Sequence, residues 1–228
     1  LKTAKKPDLT EKNTVRARLE EIGIIPGIRV SSAEDAVFAA EAVASAGIPI
    51  VEVTMTVPGA NNAIYELVQR NPELIVGAGT LLSVETARRC IDSGASFLTS
   101  PCLDLEIVEF ARKRNVLYFP GVLSPTEVMT AWKAGCDLVK VFPCAQVGGP
   151  SYIKALRAPF PEVRFIAAGG VNQNTATDFV LAGAVALGIG RDLIQPRAIQ
   201  RRERDWILEL AHRFLRMVQD GRTQGQMQ

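Results

Sequence analysis

The chain has 228 residues, 47% of them hydrophobic and 22% charged, an ordinary balance for a soluble globular protein that can hold a core without disulfide or metal. Its 26 basic and 24 acidic residues leave a net charge of +2, which gives no electrostatic footprint for nucleic acid or an anionic membrane. Cys90, Cys102, Cys136 and Cys144 form no C-x-x-C pair and stand far along the chain from the one histidine, His212; the pattern contains no zinc site, and the cysteines read as reduced thiols serving as small core hydrophobes.

The first segment, LKTAKKPDLTEKN, is polar and basic without an apolar stretch, so it does not read as a signal peptide. No apolar run reaches the ~18 residues of a membrane span, and a cytoplasmic protein is expected. A helix is expected over about residues 9–22. Eight short apolar runs follow as strand candidates: Ile24–Arg29, Ile50–Thr54, Ile75–Gly77, Phe97–Thr99, Leu117–Phe119, Leu138–Val141, Arg164–Ala167 and Ala186–Ile189. Helical patterns alternate with them. Ser32 opens one through Ala33–Ala46, Ser83 opens another, and Ser124 precedes Pro125 at a first helical position, each a cap able to take a free backbone N–H. Four joins repeat a small residue and a glycine before the next apolar run: Gly47, Gly94, Gly135 and Gly183. A glycine there takes the left-handed position after a helix without a Cβ clash. Their spacing holds about two ~30-residue βα units each. Alternating strands and helices with short joins imply a parallel sheet, and eight repeats favour an α/β fold of the (β/α)8 TIM-barrel type over an open doubly wound sheet. One domain, 1–228, is expected, with the barrel proper at about 24–200 and a last helix at about 205–219.

Active sites of such barrels lie at the carboxyl ends of the strands. Lys140 lies inside the apolar run LVKVF and Glu52 inside IVEVTM. A lysine is rarely buried without purpose. Desolvation lowers its pKa, and a neutral amine is the nucleophile that forms an imine with a ketone. A buried carboxylate needs a donor or a cation, so Glu52 and Lys140 make each other plausible as a general base and an imine-forming amine. The bland alternatives are an outward lysine whose stem covers apolar surface and a purely structural ion pair. Arg29 ends the first strand, where a guanidinium can hold a carboxylate in a fork. Gly169-Gly170 and Gly188-Ile189-Gly190 end the seventh and eighth candidates, whose loops commonly form a phosphate site. Gly148-Gly149 and Arg191 are candidates for the same patch. His212 lies in a helical stretch and reads as packing or surface, and RAIQRRERDW as a solvated charged face or a subunit contact.

These residues resemble a known family. The motifs VEVTMTVP, GAGT, SP, FPGVLSPTE, VKVFP, GGP, PFP and GGV, in this order from about Ile24 to Leu193, are similar to the bacterial 2-keto-3-deoxy-6-phosphogluconate (KDPG) and 4-hydroxy-2-oxoglutarate aldolases. The resemblance implies a class I aldolase, with Lys140 as the Schiff-base lysine and Glu52 as the acid/base group. It implies that Thr80 contacts the pyruvyl part of the substrate, that Pro101 and Phe142 wall that pocket, and that Gly169 and Gly170 bind phosphate; Thr54, Gly190 and Arg191 are further substrate-binding candidates by their places at the ends of their strands. It implies a homotrimer without metal or cofactor, in carbohydrate metabolism of the Entner–Doudoroff kind. Two departures stand out. The arginine that some members carry four residues after the glutamate is Thr56 here, and Arg29 matches the arginine of another branch. The family's phosphate-contacting serine and threonine are Arg191 and Ala168. The expected substrate is KDPG. The alternatives are the galactonate epimer or 4-hydroxy-2-oxoglutarate with the same chemistry, a phosphate-binding barrel enzyme that forms no imine, and, more remotely, a non-enzymatic or engineered assembling scaffold.

Overall fold

The computed structural model describes residues 11–136 and 138–227. Leu9 and Thr10 of the expected first helix lie outside them. That helix spans Lys12–Ile22, and Glu11 caps it by accepting from the Thr14 N–H.

Among the described residues nine strands follow: β1 Ile24–Ile28, β2 Ile50–Thr54, β3 Ile75–Gly79, β4 Phe97–Thr99, β5 Leu117–Phe119, β6 Gly121–Val122, β7 Leu138–Val141, β8 Arg164–Ala168 and β9 Ala186–Ile189. Every pairing is parallel, in the order β5-β4-β3-β2-β1-β9-β8-β7-β6. The expected fifth strand is thus two short ones. Pro120 lies between them, and a residue without an N–H interrupts the ladder. Its carbonyl still accepts from the Lys140 N–H at 2.8 Å, so the chain that carries β5 and β6 joins β4 on one side and β7 on the other. The sheet closes there into the expected eight-staved barrel. β3 and β8 run further than their patterns suggested, to Gly79 and Ala168, and Arg29 lies just past β1.

A helix follows each stave, beginning with Ala33–Ser45 and ending with Pro196–Gln200. Ser32 accepts from the Asp35 N–H, Ser83 from the Thr86 N–H, and Ser124 and Glu127 form a reciprocal capping box, so three helix starts occur where their caps stand in the sequence. Gly47, Gly94, Gly135 and Gly183 have φ of 91°, 100°, 91° and 95°, the left-handed conformation that ends a helix at low cost. The last helix, Arg204–Gln226, is longer than its pattern predicted. Arg222 donates to the carbonyls of Glu20 and Glu21, at 2.5 Å each, and ties it to the first helix. The charged stretch before it is solvent-exposed at Arg197, Arg201, Arg202, Arg204 and Asp205, as expected, and on this face Arg202 pairs with Glu34 and Asp35 at 2.7 and 3.0 Å and lies over the Phe38 ring.

Side chains alternate in and out along each strand. Outward residues such as Ile28, Val53, Val139 and Leu187 join the apolar layer beneath the helices. Inward residues form a second core: Ile25, Ile50, Phe97, Phe119, Leu138 and Ile166 fill the amino-terminal half of the barrel, and Val15 and Leu19 of the first helix plug its base. Phe97 and Phe119 stack with ring centroids 5.5 Å apart. The Phe97 ring occupies the space a Cβ on Gly77 would need, 2.2 Å away. Above this floor the interior turns polar. Of the cysteines, Cys90, Cys136 and Cys144 are buried as expected, whereas Cys102 is exposed, because it lies on the turn after β4 rather than on a core element.

Candidate active site

The alternation decides the direction of Lys140 and Glu52. Leu138 faces inward, so Lys140, two residues on along β7, does too; Ile50 faces inward, and Glu52 follows two residues on along β2. Both are buried, 8% and 9% exposed, and both line one cavity of about 290 Å³ at the carboxyl end of the barrel. The outward reading of Lys140 is thereby excluded. Burial lowers the Lys140 pKa from its ordinary value. The Glu52 carboxylate opposes this more weakly by attraction, and the Arg29 guanidinium adds to it by repulsion. An amine held toward its neutral form inside a cavity is what addition to a carbonyl carbon requires.

Glu52 owes its position to a glycine. A Cβ on Gly79 would lie 1.7 Å from Glu52 Oε1 and 2.3 Å from its carboxyl carbon. The Glu52 side chain therefore lies flat across β3, over the backbone of Gly79. Thr54, further up β2, is buried; its hydroxyl donates to the Ile28 carbonyl at 2.9 Å and lies 2.7 Å from Thr56 Oγ1. Thr80 has φ 61°, a conformation costly for a branched residue and typical of constrained functional sites. Its Oγ1 accepts from Arg29 Nη2 at 3.4 Å. Arg29 is exposed and Thr56 stands apart from the cavity lining, so Arg29 is the cation at this side of the mouth.

Pro101 and Phe142 both line the cavity with Lys140, whose Nζ is 5.6 Å from the Phe142 ring centroid. The far end is made by Gly169, Gly170, Gly190 and Arg191. Gly169 and Gly170 have φ of 82° and 89°. A Cβ on Gly169 would lie 2.9 Å from Pro143 Cα, and one on Gly170 2.2 Å from the Ala145 Cβ. The glycine pair thus lets the β8 loop pack tightly onto the turn after β7 while leaving its backbone on the cavity. Every residue expected at the site lines this cavity. The exception among weaker candidates is Gly148-Gly149: these residues end the 3-10 turn Ala145–Val147 and open the helix Pro150–Arg157, away from the lining.

Four lining residues were missed: Ile25, Gly27, Val171 and Asp192. Ile25 and Gly27 were accessible to the period-two reading of β1. Asp192 follows Arg191 in a turn where the Gly190 carbonyl accepts from Leu193 and Ile194 N–H groups; only the tertiary fold shows that this turn brings an anion beside the cation.

Comparison with known proteins agrees with this geometry. Residues 15–210 match the family described as KDPG and KHG aldolase. The chain belongs to the KDPG and KHG aldolase family. It is an aldolase, a carbon–carbon lyase. It is 35% identical to a 2-dehydro-3-deoxy-phosphogluconate aldolase of Pseudomonas aeruginosa, over 82% of this chain and 84% of that protein. It is 31% identical to one of Treponema pallidum, over 90% of this chain and 98% of that protein. It also superimposes with a TM-score of 0.81 on KDPG aldolase from Legionella pneumophila, with 30% identity, 91% of this chain and 98% of that one; that structure holds pyruvate captured at low pH as a covalent carbinolamine intermediate. The non-catalytic scaffold is set aside. Among the described residues of this aldolase, no helix is long and apolar enough to cross a membrane.

Proposed function

We propose that this aldolase is of class I and cleaves KDPG to pyruvate and glyceraldehyde 3-phosphate through an imine on Lys140. The observation that carries the reading is the pair of inward groups, an amine whose charge is disfavoured by burial and a carboxylate, on opposite sides of one cavity.

The neutral Lys140 amine attacks the C2 ketone, and the carbinolamine loses water to give a protonated imine. Glu52 removes the C4 hydroxyl proton, directly or through water. The C3–C4 electron pair moves into a C2–C3 enamine, neutralising the imine nitrogen, and the aldehyde leaves. Protonation at C3 and hydrolysis then release pyruvate and restore the amine. Arg29 with Thr80 holds the substrate carboxylate, Thr54 orders this rim, and Pro101 and Phe142 exclude water around the pyruvyl group. Gly169, Gly170, Gly190 and Arg191 receive the phosphate through backbone N–H groups and one guanidinium.

Borohydride with pyruvate should trap a covalent adduct on Lys140; an adduct elsewhere, or full activity in Lys140→Ala, sinks the mechanism. A second reading, an acid lacking the terminal phosphate, is favoured by Asp192, whose carboxylate shares the far end with Arg191. Pyruvate release measured over phosphorylated and unphosphorylated 2-keto-3-deoxy acids separates the two.

The homotrimer implied by the family resemblance is part of this reading. Large apolar side chains open on the surface, Leu82 at 67% and Leu105 at 51%, give it surface to cover, and light scattering tests it. A cytoplasmic location suits the free thiols of Cys90, Cys102 and Cys144.

A further inference from the structure

A buried hydrogen-bonded pair behind the Pro101 wall has no part in the mechanism above. Tyr118 lies on β5 and Ser100 opens the turn after β4; they are 6% and 0% exposed. Their hydroxyl oxygens are 2.5 Å apart, and Ser100 Oγ also lies 2.5 Å from the Cys102 carbonyl oxygen, to which it donates. A serine hydroxyl has one hydrogen. Since Ser100 spends it on the Cys102 carbonyl, Tyr118 must be the donor to Ser100. Burial pushes the Tyr118 phenol up from its ordinary value, which favours the protonated, donating form.

This chain of two bonds spans the residue it encloses. Ser100 and Cys102 flank Pro101, and Pro101 is a wall of the cavity. The opposite side of the turn is pressed onto β6: a Cβ on Gly121 would lie 2.2 Å from the Pro101 carbonyl. Gly121 is the register partner of Lys140. The turn is thus clamped from behind by Tyr118 and Ser100 and seated in front on the residue paired with the reacting amine.

We propose that Tyr118 and Ser100 are positioning residues that hold the Pro101 wall at its height over Lys140 and thereby set the affinity for the pyruvyl group. This rests on Lys140 as the imine lysine. The geometry explains why a tyrosine, rather than an aliphatic residue, occupies an outward position of β5: it carries the one donor that can satisfy a serine whose hydrogen is already committed.

The test is borohydride trapping of pyruvate on the full-length protein, as a function of pyruvate concentration, with alkylation of the cysteines followed by mass spectrometry. Tyr118→Phe keeps the ring and removes the donor; Ser100→Ala removes both bonds; Ser100→Thr restores a hydroxyl. Losing one such bond should raise half-saturating pyruvate by about 3- to 10-fold in Tyr118→Phe, with a larger rise in Ser100→Ala and partial rescue in Ser100→Thr. Exposed Cys102, on the loosened turn, should alkylate faster in the first two variants, while buried Cys90 and Cys144 stay protected. Unchanged half-saturation in the folded variants overturns the proposal. So does faster alkylation of all three thiols together, which marks a merely structural role. If Ser100→Ala does not fold, Tyr118→Phe decides alone. Failure of the wild-type protein to trap pyruvate on Lys140 instead overturns the imine reading, and with it this one, whatever the variants do.

Discussion

Gly79 leaves vacant the volume that the Glu52 side chain fills, with Oε1 only 1.7 Å from where a Cβ would stand. The acid/base group and the glycine are therefore one structural unit, although they lie on different strands. Gly79→Ala should push the carboxylate off its position above β3. The expected loss in kcat is about 10- to 100-fold, since a displacement near 1 Å suffices for that. KM should change less, because Arg29 and the far-end glycines are untouched. Steady-state kinetics on the folded variant checks this; an unchanged kcat would remove Glu52 from the chemistry or show that it tolerates another position.

The electrostatics around Lys140 predict opposite pH shifts for two variants. Burial depresses its pKa, Glu52 raises it and Arg29 lowers it. The neutral amine is the reactive form, so trapping with pyruvate should rise with pH and level off above the depressed pKa. Glu52→Gln removes an attraction and should move this rise to lower pH. Arg29→Gln removes a repulsion and should move it to higher pH, while also weakening substrate through loss of the carboxylate contact. Shifts of the same sign in both variants would contradict the assigned environment.

Keeping an amine buried has a cost in stability. Between the depressed folded pKa and the ordinary unfolded value, the unfolded chain binds more protons, so stability rises with pH across that window. Below the window the full cost is present. Lys140→Met should therefore stabilise the protein at neutral pH by about 1–2 kcal/mol while abolishing activity, as is common when a strained site is relieved. The gain should shrink as pH approaches the usual lysine pKa. Urea titrations at two pH values measure it, and a gain that grows with pH would be the wrong sign.

The first and last helices meet where Arg222 donates to the Glu20 and Glu21 carbonyls. These are otherwise open groups at the end of the first helix, and that helix plugs the barrel with Val15 and Leu19. Arg222→Ala should cost about 1–2 kcal/mol of stability. It should leave KM unaltered, because the plug lies at the end of the barrel opposite the cavity. Thermal unfolding and kinetics on one preparation check both halves.

The barrel was legible because it is a repeat. Caps at Ser32, Ser83 and Ser124 and the glycines ending four helices act within a few residues, so they read the same in the sequence and in the fold. The break at Pro120 was less so, since LYFPG reads as one strand until pairing on both sides requires N–H groups that proline lacks. The direction of Lys140 was open for a physical reason: the strands of a closed parallel barrel are buried on both faces, and an apolar run does not say which face is which.

By itself, the sequence determined the alternation of elements, the eight-fold count and the presence of one lysine and one glutamate in apolar runs, because these follow from local chemistry and spacing. Only the tertiary structure decided that the two face the same interior, that Gly77 and Gly79 make room for Phe97 and Glu52, that Asp192 joins Arg191 at the far end, and that Tyr118 reaches Ser100 behind the Pro101 turn. Each of these is a relation across neighbouring strands or loops, and closing the ring is what sets the register between them.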